Sequence, residues 1–358
     1  MKYALIGCGR VSPNHVVAAV KNKLEFVGLC DLSREAIYNL KEKYEPIKHV
    51  RSYKDYHKML ETEKPELVAI ATESGKHAEI AIDCINAGCN VIIEKPVALS
   101  LADADRIIEA AERMGVKVAA NHQNRFNASI GKIREALEAG RFGRLFYATS
   151  QIRWSRAESY YNQAAWRGTW AQDGGTLMNQ CIHNIDLLNW MLGSEPVEVI
   201  SMTDRLNHDY IEAEDLGLAI IKYANGAYGL VEGTVDIFGG DLEEALCIFG
   251  SKGMVKADGT VNNIIENWRF EDDLDDEDEV RAEFSVPVGH IYGQGHTALY
   301  TDMIAAVEED RPPYVDIYAG RRALELVLAI YKAAYEGRSV KLPLEKASTL
   351  DFADSFKK

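Results

Sequence analysis

Apolar residues recur along the first third of the chain in two alternating rhythms. Short unbroken runs, Tyr3–Ile6, Phe26–Cys30, Leu67–Ala71, Val91–Ile93 and Val116–Ala120, have the length and continuity of strands buried on both faces. Between several of them the period becomes helical. In HAEIAIDCINAG, Ile80, Ile82, Cys84 and Ile85 share a broad stripe that ends at Gly88. Ser100 followed by Asp103 has the spacing of a capping box opening a helix toward Met114. Strand–helix alternation of this kind predicts an α/β domain over residues 1–121 with a parallel, doubly wound sheet.

Beyond residue 122 the pattern changes. A helix over Ile130–Glu138 stops at Gly140, and RLFYATSQIRW reads as a strand. A second helix is expected within TLMNQCIHNIDLLNWML, ending at Gly193. Strand-like runs then follow with hairpin punctuation at Asn225-Gly226 and at SKG. Two further helices, Thr297–Glu308 and Gly320–Tyr335, close the chain. Residues 122–358 are therefore expected to form an α+β domain around a large, mostly antiparallel open sheet. The acidic run EDDLDDEDE at 271–279 lacks the oxygen spacing of a calcium loop and reads as a solvated loop.

Composition narrows the classes of function. The 358 residues are enough for two domains, and 47% hydrophobic with 27% charged residues fits a soluble globular protein. A net charge of −15 argues against nonspecific nucleic-acid binding, which depends on lysine and arginine. No apolar run reaches membrane-spanning length and the start resembles no signal peptide, so a cytoplasmic protein without membrane partners is expected. The six scattered cysteines form no CxxC pair, so reduced, mostly buried thiols and no metal site are expected.

Two places carry chemistry. The first strand runs into Gly7-Cys8-Gly9-Arg10-Val11-Ser12-Pro13, a GxGxx loop with serine in place of the third glycine. Ser12 and Pro13 suit the start of a helix whose N–H groups face a pyrophosphate. Asp31 follows 22 residues after Gly9, the distance at which a carboxylate grips ribose hydroxyls, favouring NAD over NADP. Arg34 nearby leaves dual use open. The other reading is a tight strand-to-helix turn with a solvated aspartate.

Glu94, Lys95 and Pro96 fall at the carboxyl end of a parallel strand, the edge where ligands bind in open α/β sheets. Lys95 there is either a proton acceptor beside a nicotinamide or an ordinary surface lysine. Asn179 and His183 are four residues apart, so one helical face is expected to present both, with Asp186 nearby. Histidine can share a hydroxyl proton, although a structural helix is the competing reading. The flanking YYNQAAWRGTW, at 160–170, is rich in groups that suit sugar faces and hydroxyls.

GCGRVSPNH, ATESGKHAEIAIDCINAGCNVIIEKP and GGTLMNQCIHNIDLLNWMLG together resemble the Gfo/Idh/MocA oxidoreductases, and GHTALYTDMIAAVEEDRPPYVDIYAGRRALELVLAIYKAA extends the resemblance over nearly the whole chain. The resemblance implies a Rossmann domain followed by a sheet-faced domain that binds a small-molecule substrate and mediates homodimers or homotetramers. It implies Lys95 and His183 as catalytic residues and a cis Lys95–Pro96 bond. It places Gly7, Gly9, Arg10, Val11, Asp31, Thr72, His77, Glu94 and Lys95 at NAD. The position four before the histidine is often aspartate in the family, and here it is Asn179. NHQNRFN, YYNQAAWRGTW and LMNQCIH are similar to the branch that oxidises C3 of UDP-N-acetylglucosaminuronate for surface polysaccharide synthesis, which also has the asparagine. That likeness adds Asn124, Arg125, Arg153, Arg167 and Asn179 to Lys95 and His183 as substrate contacts. An inositol or free-sugar dehydrogenase, a non-catalytic dinucleotide-binding regulator and an NAD-using glycosidase are the alternatives.

Overall fold

The computed structural model describes residues 1–286 and 295–356. They divide into two units, and the division differs from a single cut at 121/122. The first unit holds Met1–Ala98 and Ala102–Gln123 and regains Gly295–Arg321; the second holds Leu99–Leu101, Asn124–Gln294 and Arg322–Lys358.

The first unit is built on six parallel strands: β1 (Lys2–Ile6), β2 (Glu25–Cys30), β3 (Ser52–Tyr53), β4 (Leu67–Ile70), β5 (Asn90–Ile93) and β6 (Val118–Ala120). Their order across the sheet is β3-β2-β1-β4-β5-β6. This is the doubly wound order in which the direction of winding reverses between β1 and β4. Every residue of β4 is buried, which accounts for the apolar runs without alternation. The strand β3 has only two residues and no apolar run to announce it. The loops after β1, β2, β4 and β5 deliver Gly7, Asp31, Thr72 and Lys95 to the carboxyl edge of one sheet.

The second unit carries an eight-stranded sheet of β7 (Leu145–Arg153), β8 (Pro196–Asp204), β9 (Leu216–Tyr223), β10 (Tyr228–Thr234), β11 (Glu243–Gly250), β12 (Gly253–Asp258), β13 (Ile264–Phe270) and β14 (Val340–Lys341). Their order is β13-β12-β11-β7-β10-β9-β8-β14, and β7 with β10 is its parallel pair. One face packs on helices Thr176–Asn179 and Ile182–Leu192. A Cβ on Gly217 would stand 2.5 Å from Leu177, and one on Gly233 would stand 2.6 Å from Cys181 Sγ. The opposite face exposes Tyr147, Ile200, Met202, Leu218, Ile220, Tyr228 and Leu230.

All six cysteines are free thiols, five of them buried. The acidic run is more ordered than a solvated loop. Asp272 and Asp275 pair with Arg141, and Asp276 caps helix Glu277–Phe284 by accepting from the backbone N–H of Asp278 and Glu279.

Candidate active site

The glycine loop of the first unit is shaped by its neighbours. Gly7 has φ of +95°, and a Cβ there would lie 2.4 Å from the Ala71 carbonyl, so the close approach of β1 to the end of β4 admits only glycine. Ser12 does not cap the following helix. It is the first residue of helix Ser12–Lys21, whose N-cap is Val11, and its hydroxyl donates back to the Gly9 carbonyl at 2.6 Å. The serine thus tightens the turn from within. Asp31 accepts from the Cys8 N–H and the Ser33 N–H, each at 2.7 Å. Those two bonds fix the carboxylate beside the loop and leave it partly exposed.

These residues fit a dinucleotide. A Cβ on Gly9 would meet no protein atom within 4 Å, so packing does not demand glycine there, while a bare backbone suits close approach by a phosphate. The start of a ten-residue helix lies beside it. Arg10 and Val11 form the outer lip of the same turn.

Lys95 is half-buried, between a buried Glu94 and a buried Pro96, and the Lys95–Pro96 bond is cis. His77, at the start of helix His77–Asn86, is buried rather than solvent-facing. Its Nδ1 lies 2.7 Å from the Pro96 carbonyl oxygen and its Nε2 lies 3.1 Å from that of Thr72. The ring thus sits between the turn after Lys95 and the turn after β4; burial holds its pKa below the ordinary histidine value, and the neutral ring donates to one of the two carbonyls. Glu94, expected at the cofactor, instead turns its carboxylate into the interior of the unit. Burial alone would raise its pKa, but hydrogen bonds from His15 and His296 outweigh that and hold it well below the ordinary range.

In the second unit the expected single helix is two. Thr176–Asn179 ends, and Ile182–Leu192 begins after Gln180 and Cys181, whose N–H groups both donate to the Thr176 carbonyl. Asn179 and His183 therefore do not share one continuous helical face. Asn179 donates to Asp173 and accepts from Gln180 at 2.5 Å, while His183 is half-buried in the first turn of the second helix.

The opening of these helices depends on residues that local sequence patterns did not indicate. The Glu214 carboxylate accepts from Leu177 N–H and from Tyr331 Oη, each at 2.8 Å, and Tyr331 Oη accepts from Gly175 N–H at 3.2 Å. These two side chains cap the short helix from elsewhere in the chain. Glu214 also explains the second glycine of the Gly174-Gly175 pair, because a Cβ on Gly175 would lie 1.4 Å from its Oε2.

Three expected substrate contacts are engaged elsewhere. Arg125 is buried and forms a two-pronged ion pair with Asp186, Nε to Oδ2 at 2.7 Å and Nη2 to Oδ1 at 2.6 Å. Asn124 donates at 3.2 Å to Glu244, which also accepts from Asn262, itself bonded to Asn184. Both side chains thus brace helix Ile182–Leu192. Arg153 lies on the opposite face of the sheet from that helix, because its neighbour Ile152 pairs with the inward-facing Gly233 and strand side chains alternate. There its guanidinium pairs with Glu232 and Glu243.

Arg167 differs. Its guanidinium sits 4.3 Å from the Tyr160 ring centre and 4.6 Å from that of Trp166, and Nη1 donates to Tyr160 Oη at 2.5 Å. Tyr160 Oη also accepts from Gln180, which bonds Asn179 and accepts from Arg156 at 3.1 Å. An unbroken polar chain therefore runs from Arg167 to Asn179, four residues before His183. The buried Nε of Arg167 has no hydrogen-bond partner among the described residues.

Comparison with known proteins agrees with this geometry. Residues 1–122 match the family described as "Oxidoreductase family, NAD-binding Rossmann fold", and residues 134–342 match its "C-terminal alpha/beta domain". The WlbA dehydrogenase from Bordetella pertussis, solved in complex with NADH and UDP-GlcNAcA, is 34% identical with a TM-score of 0.87, covering 96% of this chain and 98% of that one. The WlbA dehydrogenase from Chromobacterium violaceum, solved with the same two ligands, is 33% identical with a TM-score of 0.87, covering 96% of each chain. The myo-inositol 2-dehydrogenase of Thermotoga maritima is 27% identical over 350 residues, covering 96% of this chain and 98% of that one. With both of its units matched in order, the chain belongs to the Gfo/Idh/MocA family of NAD-binding oxidoreductases.

Proposed function

We propose that the protein oxidises a secondary hydroxyl, C3 of a UDP-linked N-acetylated hexuronic acid, in surface polysaccharide biosynthesis in the cytoplasm. NAD, when bound, supplies the hydride acceptor. The loop Gly7–Val11 and Asp31 hold the dinucleotide, and Thr72 and His77 shape the adjoining turn. Lys95, assisted by His183, takes the hydroxyl proton. The observation that carries the choice of substrate is Arg167, stacked between two rings and linked through Tyr160 and Gln180 to Asn179. A guanidinium with a buried, unpartnered Nε suits a carboxylate or a diphosphate. The likeness to the WlbA dehydrogenases supports the same reading.

A second reading, an inositol dehydrogenase, is favoured by the 27% identity to the Thermotoga maritima enzyme along nearly its full length. A panel of UDP-N-acetylglucosaminuronate, UDP-N-acetylglucosamine, free N-acetylglucosamine and myo-inositol, followed by NADH absorbance, separates the two. The expected result is a kcat/KM at least about 100-fold higher for the UDP-uronate than for myo-inositol, because a charged anchor is unpaired with the neutral polyol. Faster turnover of myo-inositol would overturn the proposal. Lys95→Ala is expected to lower turnover by about 10²- to 10⁴-fold while NAD affinity is retained.

The apolar outer face of the eight-stranded sheet supports a homodimer or homotetramer. Light scattering tests this, and Met202→Glu with Ile220→Lys is expected to give monomers.

A further inference from the structure

Behind Lys95, the side chain of Glu94 ends a buried chain of hydrogen bonds that crosses the first unit. Tyr3 Oη, on β1, lies 2.8 Å from Tyr300 Oη. Tyr300 Oη lies 2.7 Å from His15 Nδ1, and His15 Nε2 lies 2.9 Å from Glu94 Oε1. Asn121, just after β6, also donates to Glu94 Oε1, and its Nδ2 lies 3.0 Å from His296 Nε2. The second oxygen, Oε2, accepts from the backbone N–H of Lys95 at 3.3 Å. Tyr3, His15, Asn121 and Tyr300 are completely buried, and Glu94 is 6% exposed.

The chemistry of the groups sets the direction of the chain. A carboxylate only accepts, so His15 donates from Nε2, leaving Nδ1 to accept from the Tyr300 hydroxyl. Tyr300 in turn accepts from Tyr3. Each hydroxyl and ring nitrogen then has a role, and a neutral imidazole suffices. Aligned donors of this kind polarise one another in a dry interior. His15 belongs to helix Ser12–Lys21, which follows the glycine loop, and Tyr300 and His296 belong to helix Gly295–Glu308. Glu94 therefore receives hydrogen bonds from His15 and Asn121 on one oxygen, and its other oxygen fixes the peptide from which the Lys95 side chain departs. The three ligand-type side chains His15, Glu94 and His296 lie close enough for a metal, but the N–H groups of His15, Asn121 and Lys95 already take up the carboxylate.

We propose that His15 and Glu94 are positioning residues for Lys95, an inference that rests on Lys95 being the proton acceptor. His15 holds the Glu94 carboxylate still, and Glu94 holds the Lys95 amide. His15→Leu removes the donor and leaves a buried carboxylate to swing away from the Lys95 N–H. His15→Gln returns an N–H near the position of Nε2.

The experiment measures kcat, substrate KM and NAD affinity for His15→Leu, His15→Gln, Lys95→Ala and the His15→Leu/Lys95→Ala double variant. The expected result is a fall in kcat of about 10- to 100-fold for His15→Leu, the scale of a displacement of about 1 Å at a reacting group, with NAD affinity and KM within about twofold. His15→Gln recovers most of the loss, and in the Lys95→Ala background His15→Leu costs nothing further. Should His15→Leu fail to fold, Tyr300→Phe, which keeps the ring and removes the hydroxyl bonded to Nδ1, is expected to lower kcat in the same direction. A Lys95→Ala defect beside an unaffected His15→Leu overturns the positioning role alone, as does an equal loss in His15→Gln or a parallel fall in NAD affinity. Normal turnover by Lys95→Ala overturns the assignment of Lys95 itself and the positioning role with it.

Discussion

Replacing Arg125 with alanine separates a packing role from a substrate role, because the two predict opposite readouts. In the structure the guanidinium meets Asp186 through two bonds of 2.7 and 2.6 Å, with side chains 6% and 2% exposed. The same guanidinium lies 4.7 Å from the Trp190 ring centre. Truncation leaves the Asp186 carboxylate in a dry interior without its counter-ion, which costs about 3–5 kcal/mol. For a unit of this size each kcal/mol lowers Tm by about 2–4 °C, so Tm should fall by about 6–20 °C. Thermal melting with and without NAD, together with steady-state kinetics below the transition, is the assay. Substrate KM for the variant that remains folded should change by less than about threefold. Arg125→Met with Asp186→Leu removes both charges together and should regain most of the stability. A variant with an unchanged Tm and a KM raised tenfold or more would refute the reasoning and return Arg125 to the substrate.

The remaining predictions are shorter. Arg167→Leu should do the reverse of Arg125→Ala: KM for a UDP-uronate should rise about 10- to 100-fold, with Tm within about 3 °C, since the hydrogen bond of Arg167 is to a hydroxyl. Asp31→Ala should weaken NAD and narrow the preference over NADP, read by cofactor titration; an unaltered preference contradicts the ribose role. Burial raises the Glu214 pKa from its ordinary 4.5 to about 8, so the native state holds a proton that the unfolded chain releases. Stability should therefore fall by about 1.4 kcal/mol per pH unit between roughly pH 4.5 and 8, and Glu214→Gln, which cannot ionise, should flatten that slope in urea denaturation at stepped pH. Gly175→Ala drives a methyl into the Glu214 carboxyl and should cost about 1–3 kcal/mol of stability, read as a lowered Tm, and Glu214→Ala should cost less in that background than in the unmodified protein.

Much of the first unit is legible because its central strands are buried on both faces. β4 and β5 therefore read as apolar runs, and the loops after them inherit their place at the sheet edge. The two residues of β3 carry no such signal. The return of Gly295–Arg321 to this unit is equally invisible, since it depends on contacts with residues nearly three hundred positions away, such as Tyr300 with Tyr3. In the second unit the helical period runs on through Gln180 and Cys181, and the interruption there arises from both N–H groups converging on one carbonyl. Periodicity identifies apolar stripes, but it does not reveal where a helix stops and restarts.

The candidate site shows a sharper boundary. The family likeness names donors in Asn124, Arg125, Arg153 and Arg167, polar groups in plausible places. Whether a donor is available depends on acceptors that arrive from far along the chain. Asp186 reaches Arg125 across 61 positions, Glu232 reaches Arg153 across 79, and Glu244 reaches Asn124 across 120. For Arg153 the deciding fact is which face of a strand packs on helices, and a shift of one residue would reverse it. Arg167 stands apart only after its neighbours are seen, because Tyr160 and Trp166, on which its guanidinium rests, lie within seven residues and neither is an acid. Among the described residues the Arg167 guanidinium is supported by rings and a hydroxyl, whereas those of Arg125 and Arg153 face carboxylates. That difference in electrostatic balance, rather than the presence of arginine, is the ground on which Arg167 is proposed as the anchor for an anionic substrate and Arg125 and Arg153 are not.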